Sequence, residues 1–364
     1  MDLLASIFNA LEGTPVNDAQ VSEFLSNVST TFEQKPFRAH PLFNGGHAQT
    51  LGAYAWPRRY RFQRFSRLDD SRLFEVEPGV NVLAHCRWQP RPAESPTVIL
   101  WHGIEGSTAS VYMIATAHKA FQAGFNVLRV NFRNCGSTEH LTPTLYHGGL
   151  SGDLRAIINE LVSKDGLLRI YPIGFSLGGN VVLKLAGEFG TTPPPHVAAI
   201  CAISPSVDLA ASTELILQKR NRLYHGNFVR NLKRKVRAKH KLFPGQYDLT
   251  KLGAVRTLRD FDEHFTSIHN GFNNADDYYY RCSSIRVVDQ IRVPTLIIHS
   301  EDDPFIPFAP LREKIFAENP YVFLLKTERG GHVAFIGSKA QGEDRFWAEN
   351  RAVEFCSLAE RWLG

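Results

Sequence analysis

The sequence predicts an α/β fold in which a mostly parallel central sheet carries helices on both faces and an inserted helical cap. Three observations predict it. Short, near-continuous apolar runs recur along the chain, at 97–103 (TVILWHG), 125–132, 170–176, 197–204, 294–300 and 321–327, the pattern of strands buried on both faces. Segments with helical spacing lie between most of them, and strands alternating with helices build right-handed βαβ units. About 90 residues separate the run ending at Ser204 from the one opening at Pro294, far more than a compact crossover uses, so that interval reads as a cap.

The elements follow in order. MDLLASIFNALEG reads as an amphipathic helix, because an acidic residue and no Lys or Arg precede its short apolar run and no small-residue cleavage pattern follows it. Residues 1–72 as a whole form a mixed, loop-rich N-terminal extension with an aromatic-basic stretch, WPRRYRFQRF. LFEVE and VNVLAHCRW flank Pro78-Gly79 and predict a hairpin. Helices are expected over 107–121, 150–162, 177–189 and 344–363, and the cap over about 207–290. The whole of 1–364 is then a single domain.

Composition narrows the function. Hydrophobic residues make up 43% and charged residues 21% of the 364, as in ordinary globular enzymes rather than disordered or fibrous chains. No stretch approaches the roughly 20 apolar residues that span a bilayer. The five cysteines show no CxxC spacing, so neither a disulfide framework nor a zinc site is expected, and a cytoplasmic setting is. No HExxH occurs, and neither metal nor cofactor is assigned. The net charge of +5 is local: residues 219–241 hold ten Lys or Arg and no acid, while the rest of the chain has fewer bases than acids. Within that segment Val229, Leu232, Val236 and Phe243 share a helical face. It reads as a lid helix whose apolar side covers a pocket while its charges meet water. A second reading makes 219–241 a peripheral membrane contact with anionic lipid. No nucleic acid is expected, since no base-stacking platform or recognition motif accompanies the charge. Tyr278, Tyr279 and Tyr280 read as packing at the junction of cap and core.

The chemistry lies in GFSLGG (174–179), at the junction of a central strand and a helix. In an open α/β sheet the carboxyl ends of the strands face a ligand crevice. Ser176 on a sharp turn there needs neighbours without side chains, which Gly174 and Gly178 supply, so the turn exposes a nucleophile. A serine hydroxyl needs a histidine to take its proton and a carboxylate to hold that histidine's tautomer. The run 294–300 is followed by acids in HSEDDPFIP, Asp302 and Asp303, and the last run by TERGGHVAF with His332, the only histidine C-terminal to those acids. Asp208, after the preceding run, is a further candidate acid. The oxyanion of acyl transfer needs fixed N–H donors, and the backbones of Leu177 and of Ile104 in HGIEG are the candidates. His102 in that loop is expected to be structural.

These motifs carry a resemblance. With GGHAQT (45–50), HGIEGS (102–107), NFRNCGS (131–137), YHGG (146–149), GFSLGGN (174–180), FDEHFT and GFNNADDYY (261–279), DDPFIP (302–307) and GGHVAF (330–335), the chain resembles the YheT-like α/β-hydrolases. That group also holds embryogenesis-associated plant proteins and membrane-anchored mammalian relatives. The resemblance covers residue 40 to the C-terminus and implies an α/β-hydrolase fold. It selects Asp303 as the acid of a Ser176, Asp303, His332 triad, and it implies a serine carboxylesterase of lipase-like type acting on a small-molecule acyl ester. Acyl transfer to another acceptor, phospholipase action and non-catalytic binding of an acyl lipid are the alternatives. The chain departs from the group's pattern at Asn134, where Gly is frequent, and at Gly46 and Ala48, where bulkier residues are usual.

Overall fold

The computed structural model describes residues 18–58, 62 and 65–363. Its strands are β1 Asp70–Glu77, β2 Val80–Arg87, β3 Thr97–Trp101, β4 Asn126–Val130, β5 Ile170–Phe175, β6 Ile200–Ile203, β7 Thr295–Ser300 and β8 Val322–Thr327. They join in one sheet in the order β1-β2-β4-β3-β5-β6-β7-β8. β1 and β2 form the expected hairpin around Gly79, whose φ of 73° suits glycine. β2 runs antiparallel to β4, and every later pairing is parallel. β3 to β7 are buried along their whole length, as near-continuous apolar runs require. β8 departs from that expectation: it is the sheet edge and lies half-buried.

The first helices correct the reading of residues 1–72 as loop-rich. α1, Asp18–Glu33, buries Val21, Phe24, Leu25, Val28 and Phe32, an i, i+3, i+4, i+7, i+11 series that presents one apolar face. α2, Gly46–Ala55, follows. The helix expected over 1–13 lies outside the described residues, as does part of the aromatic-basic stretch. α3, Val111–Gln122, starts four residues later than the spacing suggests because Ser107 to Ser110 close a turn first, Ser110 N–H donating to Ser107 O at 3.0 Å. α4, Ser151–Asp165, ends on Gly166 in the left-handed conformation, φ 65°. α5, Leu177–Phe189, leaves β5 directly.

Between β6 and β7 the chain is helical. α6, Leu209–Leu217, is followed by α7, Arg222–Leu242. Leu258–Phe261 then runs through a π-helical turn, Asp262–Thr266, and α8 is Ala275–Cys282. α9, Trp347–Leu363, closes the fold. α4 and α5 cover one face of the sheet, while α3, α9 and α1 cover the other. α7 buries Val229, Leu232 and Val236 as its spacing predicts, and it also buries Lys235 and Lys239. Those two lysines therefore leave the solvent-facing set; their ammonium groups find partners in the core. Phe243 sits just past the helix, under the Lys239 ammonium at 4.3 Å. No described helix is long and apolar enough to cross a membrane.

Candidate active site

Ser176 stands where β5 turns into α5, with φ 53° and ψ −117°, a backbone conformation costly for any residue but glycine. The turn is held from both sides: Ser176 N–H donates to Ile203 O at 2.9 Å, and Ser176 O accepts Asn180 N–H at 3.1 Å. The flanking glycines are required for different reasons. A Cβ on Gly174 would lie 2.2 Å from Gly178 O, within the turn itself. A Cβ on Gly178 would lie 2.4 Å from Trp101 O and 2.5 Å from His102 O, so that glycine lets α5 close onto the end of β3.

The structure brings Ser176, His332 and Asp303 together. His332 Nδ1–H donates to Asp303 Oδ2 at 2.8 Å, which leaves Nε2 to accept the Ser176 hydroxyl at 2.9 Å. The second oxygen of Asp303 accepts Phe305 N–H at 2.8 Å and Ile306 N–H at 3.0 Å. Burial alone would raise this carboxyl, yet the His332 ring beside it, with His299 and the Ile306 N–H, holds it below the usual aspartate range. Asp302 points elsewhere: its Oδ1 accepts Gly331 N–H at 2.9 Å, and burial raises its carboxyl. Asp208 caps α6, accepting Ala211 N–H at 3.0 Å. His102 accepts Phe132 N–H at Nε2 (3.0 Å), so its Nδ1–H donates to Gly103 O (2.7 Å), and burial lowers its pKa to about 3. It is a neutral structural group, as its place in the sequence suggests.

Ile104 and Leu177 line the same cavity as Ser176 and His332. Leu177 is the first residue of α5, where N–H groups have no intrahelical acceptor. The cavity runs under the cap between Leu209, Phe228, Leu232, Phe261 and Phe305. It holds about 70 Å³ for the centre of a water-sized sphere, well under the roughly 300–1,000 Å³ of a ligand pocket.

Three contributions were not legible in the sequence. GGHAQT has a mechanical role: Thr50 Oγ1 accepts His332 N–H at 2.9 Å, and Gln49 bridges Phe43 O and Ile336 O while accepting Ile336 N–H. A Cβ on Gly46 would lie 1.8 Å from Asp302 O, so this chain's glycine lets α2 seat against the acid loop. Asn134 takes φ 63°, a conformation that asparagine tolerates almost as glycine does, which accounts for that departure. Asp262 lies in the cavity wall on the π-helical turn, accepting the hydroxyls of Thr266 and Tyr279 at 2.7 Å each. Burial raises its pKa to about 6. The FDEHFT stretch marked its position, but nothing local said that the carboxyl faces a cavity. Tyr278 and Tyr279 line that cavity too, whereas Tyr280 is exposed.

Residues 96–338 match the family described as alpha/beta hydrolase fold. The chain is 31% identical over 343 residues to YheT of Escherichia coli (strain K12), an alignment covering 93% of this chain and 97% of that protein. It is 31% identical over 264 residues to a protein of Saccharomyces cerevisiae (strain ATCC 204508 / S288c) named monoacylglycerol lipase, covering 70% of this chain and 57% of that one. Among solved structures, the Pyrococcus furiosus esterase Pf2001 superposes with a TM-score of 0.54 at 17% identity, over 81% of this chain and 93% of that one, a likeness of fold.

Proposed function

The chain belongs to the YheT-like branch of the alpha/beta hydrolase fold family, and from that premise we propose that it is a serine carboxylesterase of lipase-like type, cleaving acyl esters through Ser176, His332 and Asp303. The observation that carries the proposal is the continuous contact from Ser176 Oγ through the His332 ring to Asp303. Ser176 Oγ attacks the acyl carbonyl while His332 Nε2 takes its proton; Asp303 keeps the proton on Nδ1 and stabilises the imidazolium. The N–H groups of Ile104 and Leu177 receive the oxyanion, each worth about 3 kcal/mol in the transition state. His332 then protonates the departing alcohol, and water activated by the same ring releases the acid and frees Ser176.

The apolar lining of the cavity, from Leu209 to Phe305, suits an acyl chain, and the lipase name of the yeast relative is in keeping with that. A cytoplasmic, reducing setting belongs to the same proposal, with all five cysteines unpaired and buried. A fluorophosphonate probe tests the chemistry. Labelling of the folded wild type that disappears in Ser176→Ala is expected, together with hydrolysis of a p-nitrophenyl ester series. Folded protein that takes no label would overturn the proposal in favour of a binding protein on the same fold.

A further inference from the structure

We propose that the outer face of α7, with the neighbouring face of α2, is a docking surface for an anionic lipid bilayer. This goes beyond ester hydrolysis and does not depend on it. On α7, Leu223, Arg230, Arg234, Arg237 and Lys241 are all exposed, and their spacing of 7, 4, 3 and 4 residues stacks them in one stripe along the helix. The opposite face is the buried one, Val229, Leu232 and Val236. None of the four cations in the stripe is in an ion pair with a described residue; Arg234 has only a long contact to the Asn231 amide, 3.4 Å. The segment also carries the whole excess of positive charge in a chain otherwise richer in acids. With its apolar face already packed on the protein, the helix turns a row of cations outward, and such a row is attracted to an anionic lipid surface.

The apolar groups beside it distinguish a bilayer from other polyanions. Leu223, within the cationic stripe, is 80% exposed. The His47 ring stacks on Tyr224, centroids 5.9 Å apart and planes 11° off parallel, so α2 adjoins the start of α7. His47, Leu51 and Tyr54 share one face of α2 by their i, i+4, i+7 spacing, and Leu51 is 53% and Tyr54 92% exposed. The phosphate backbone of a nucleic acid offers exposed leucine and tyrosine side chains little apolar surface, whereas a membrane interface takes cations and apolar groups together. The surface also leads to the candidate site. Tyr224 and Phe228 meet Phe305, and Phe305 lies over His332 at 4.9 Å. A bilayer seated here is one aromatic layer from the imidazole.

The test is co-sedimentation of the full chain with large unilamellar vesicles, either pure phosphatidylcholine or phosphatidylcholine with a third of the lipid replaced by phosphatidylglycerol. Binding to the anionic vesicles alone, weakened by salt, is expected. About 1 kcal/mol per surface cation is about fivefold in affinity, so the triple variant Arg230→Gln, Arg234→Gln, Arg237→Gln should bind roughly 100-fold more weakly. Its melting temperature and its hydrolysis of a soluble short-chain ester should stay unchanged. Leu223→Ser with Tyr54→Ser should weaken vesicle binding while leaving its salt dependence. Equal binding to neutral vesicles, no binding to anionic ones, or a triple variant that binds like wild type would overturn the proposal. So would a duplex DNA that displaces the vesicles fully while the Leu223, Tyr54 variant binds as wild type, since the surface would then be a general polyanion site.

Discussion

Replacing Lys235 by methionine should uncouple the cap from the loop that carries Ile104. Lys235 Nζ donates to Glu105 Oε1 at 2.8 Å and to Cys135 Sγ at 3.2 Å, and it lies 4.6 Å from the centre of the Tyr146 ring. The two charged side chains are only 8% and 9% exposed. Tyr146 completes the clasp, its hydroxyl donating to Glu105 Oε1 at 2.7 Å and accepting Glu105 N–H at 3.2 Å. It thereby holds Glu105 at φ 52°, next to the proposed oxyanion donor. Burial works against the Lys235 charge, but Cys135 and Glu105 raise its pKa above the usual lysine value. The stabilisation is therefore fully present at neutral pH and lost only in strong alkali. Removing one partner of a buried pair costs about 3–5 kcal/mol. At about 2.1 cal/mol/K of unfolding entropy per residue, a chain of this length should lose roughly 4–6 °C in Tm. Displacement of the Ile104 N–H should add a fall in kcat of up to about 100-fold. Thermal melts and p-nitrophenyl butyrate kinetics read both effects. Adding Glu105→Gln should recover much of the stability, because the unpaired buried charge is gone. Lys239→Met is the control on the same helix: its ammonium meets the carbonyls of Glu139 and Thr142 and the Phe243 ring, none of them on the loop that carries Ile104, so kcat should not change. A Lys235→Met protein that melts within about 1 °C of wild type with the same kcat would refute the coupling.

Three other outcomes follow from the same geometry. Asp303→Asn keeps the volume but lets the imidazole adopt the wrong tautomer, so kcat should fall about 10⁴-fold with the fold intact; single-turnover kinetics and circular dichroism check it, and a loss under tenfold would count against Asp303. Burial raises the Asp262 pKa to about 6, against about 3.9 for an unperturbed aspartate. The native state therefore binds more protons between those values, and stability falls by roughly 3 kcal/mol as pH rises through them. Asp262→Asn should flatten that decline in urea melts at pH 4 to 7, and an unchanged slope would contradict it. Gly178→Ala drives a Cβ to 2.4 Å from a backbone carbonyl and should give little folded protein. Gly226→Ala, at a helix position with nothing within 4 Å, should stabilise by up to about 1 kcal/mol; comparison of soluble yield and Tm separates the two.

The sequence alone determined the βαβ rhythm, the turn at Ser176 and the chain order of serine, acid and histidine, because each is written in local terms: apolar runs, glycine spacing, residues just past a strand. It also marked the position of the basic helix. Tertiary structure decided the rest. Asp303 rather than Asp302 meets the imidazole because the backbone of the acid loop turns one carboxyl toward His332 and the other toward Gly331, and adjacent residues cannot both face one ring. Lys235 and Lys239 are buried although they lie in a run of cations, because the helical repeat places them on the face that meets Glu105 and the carbonyls after Cys135. Thr50, some 280 residues before His332, supports that histidine's backbone. No local pattern encodes such a contact; it exists only once the fold has brought two segments far apart in the chain to one rim.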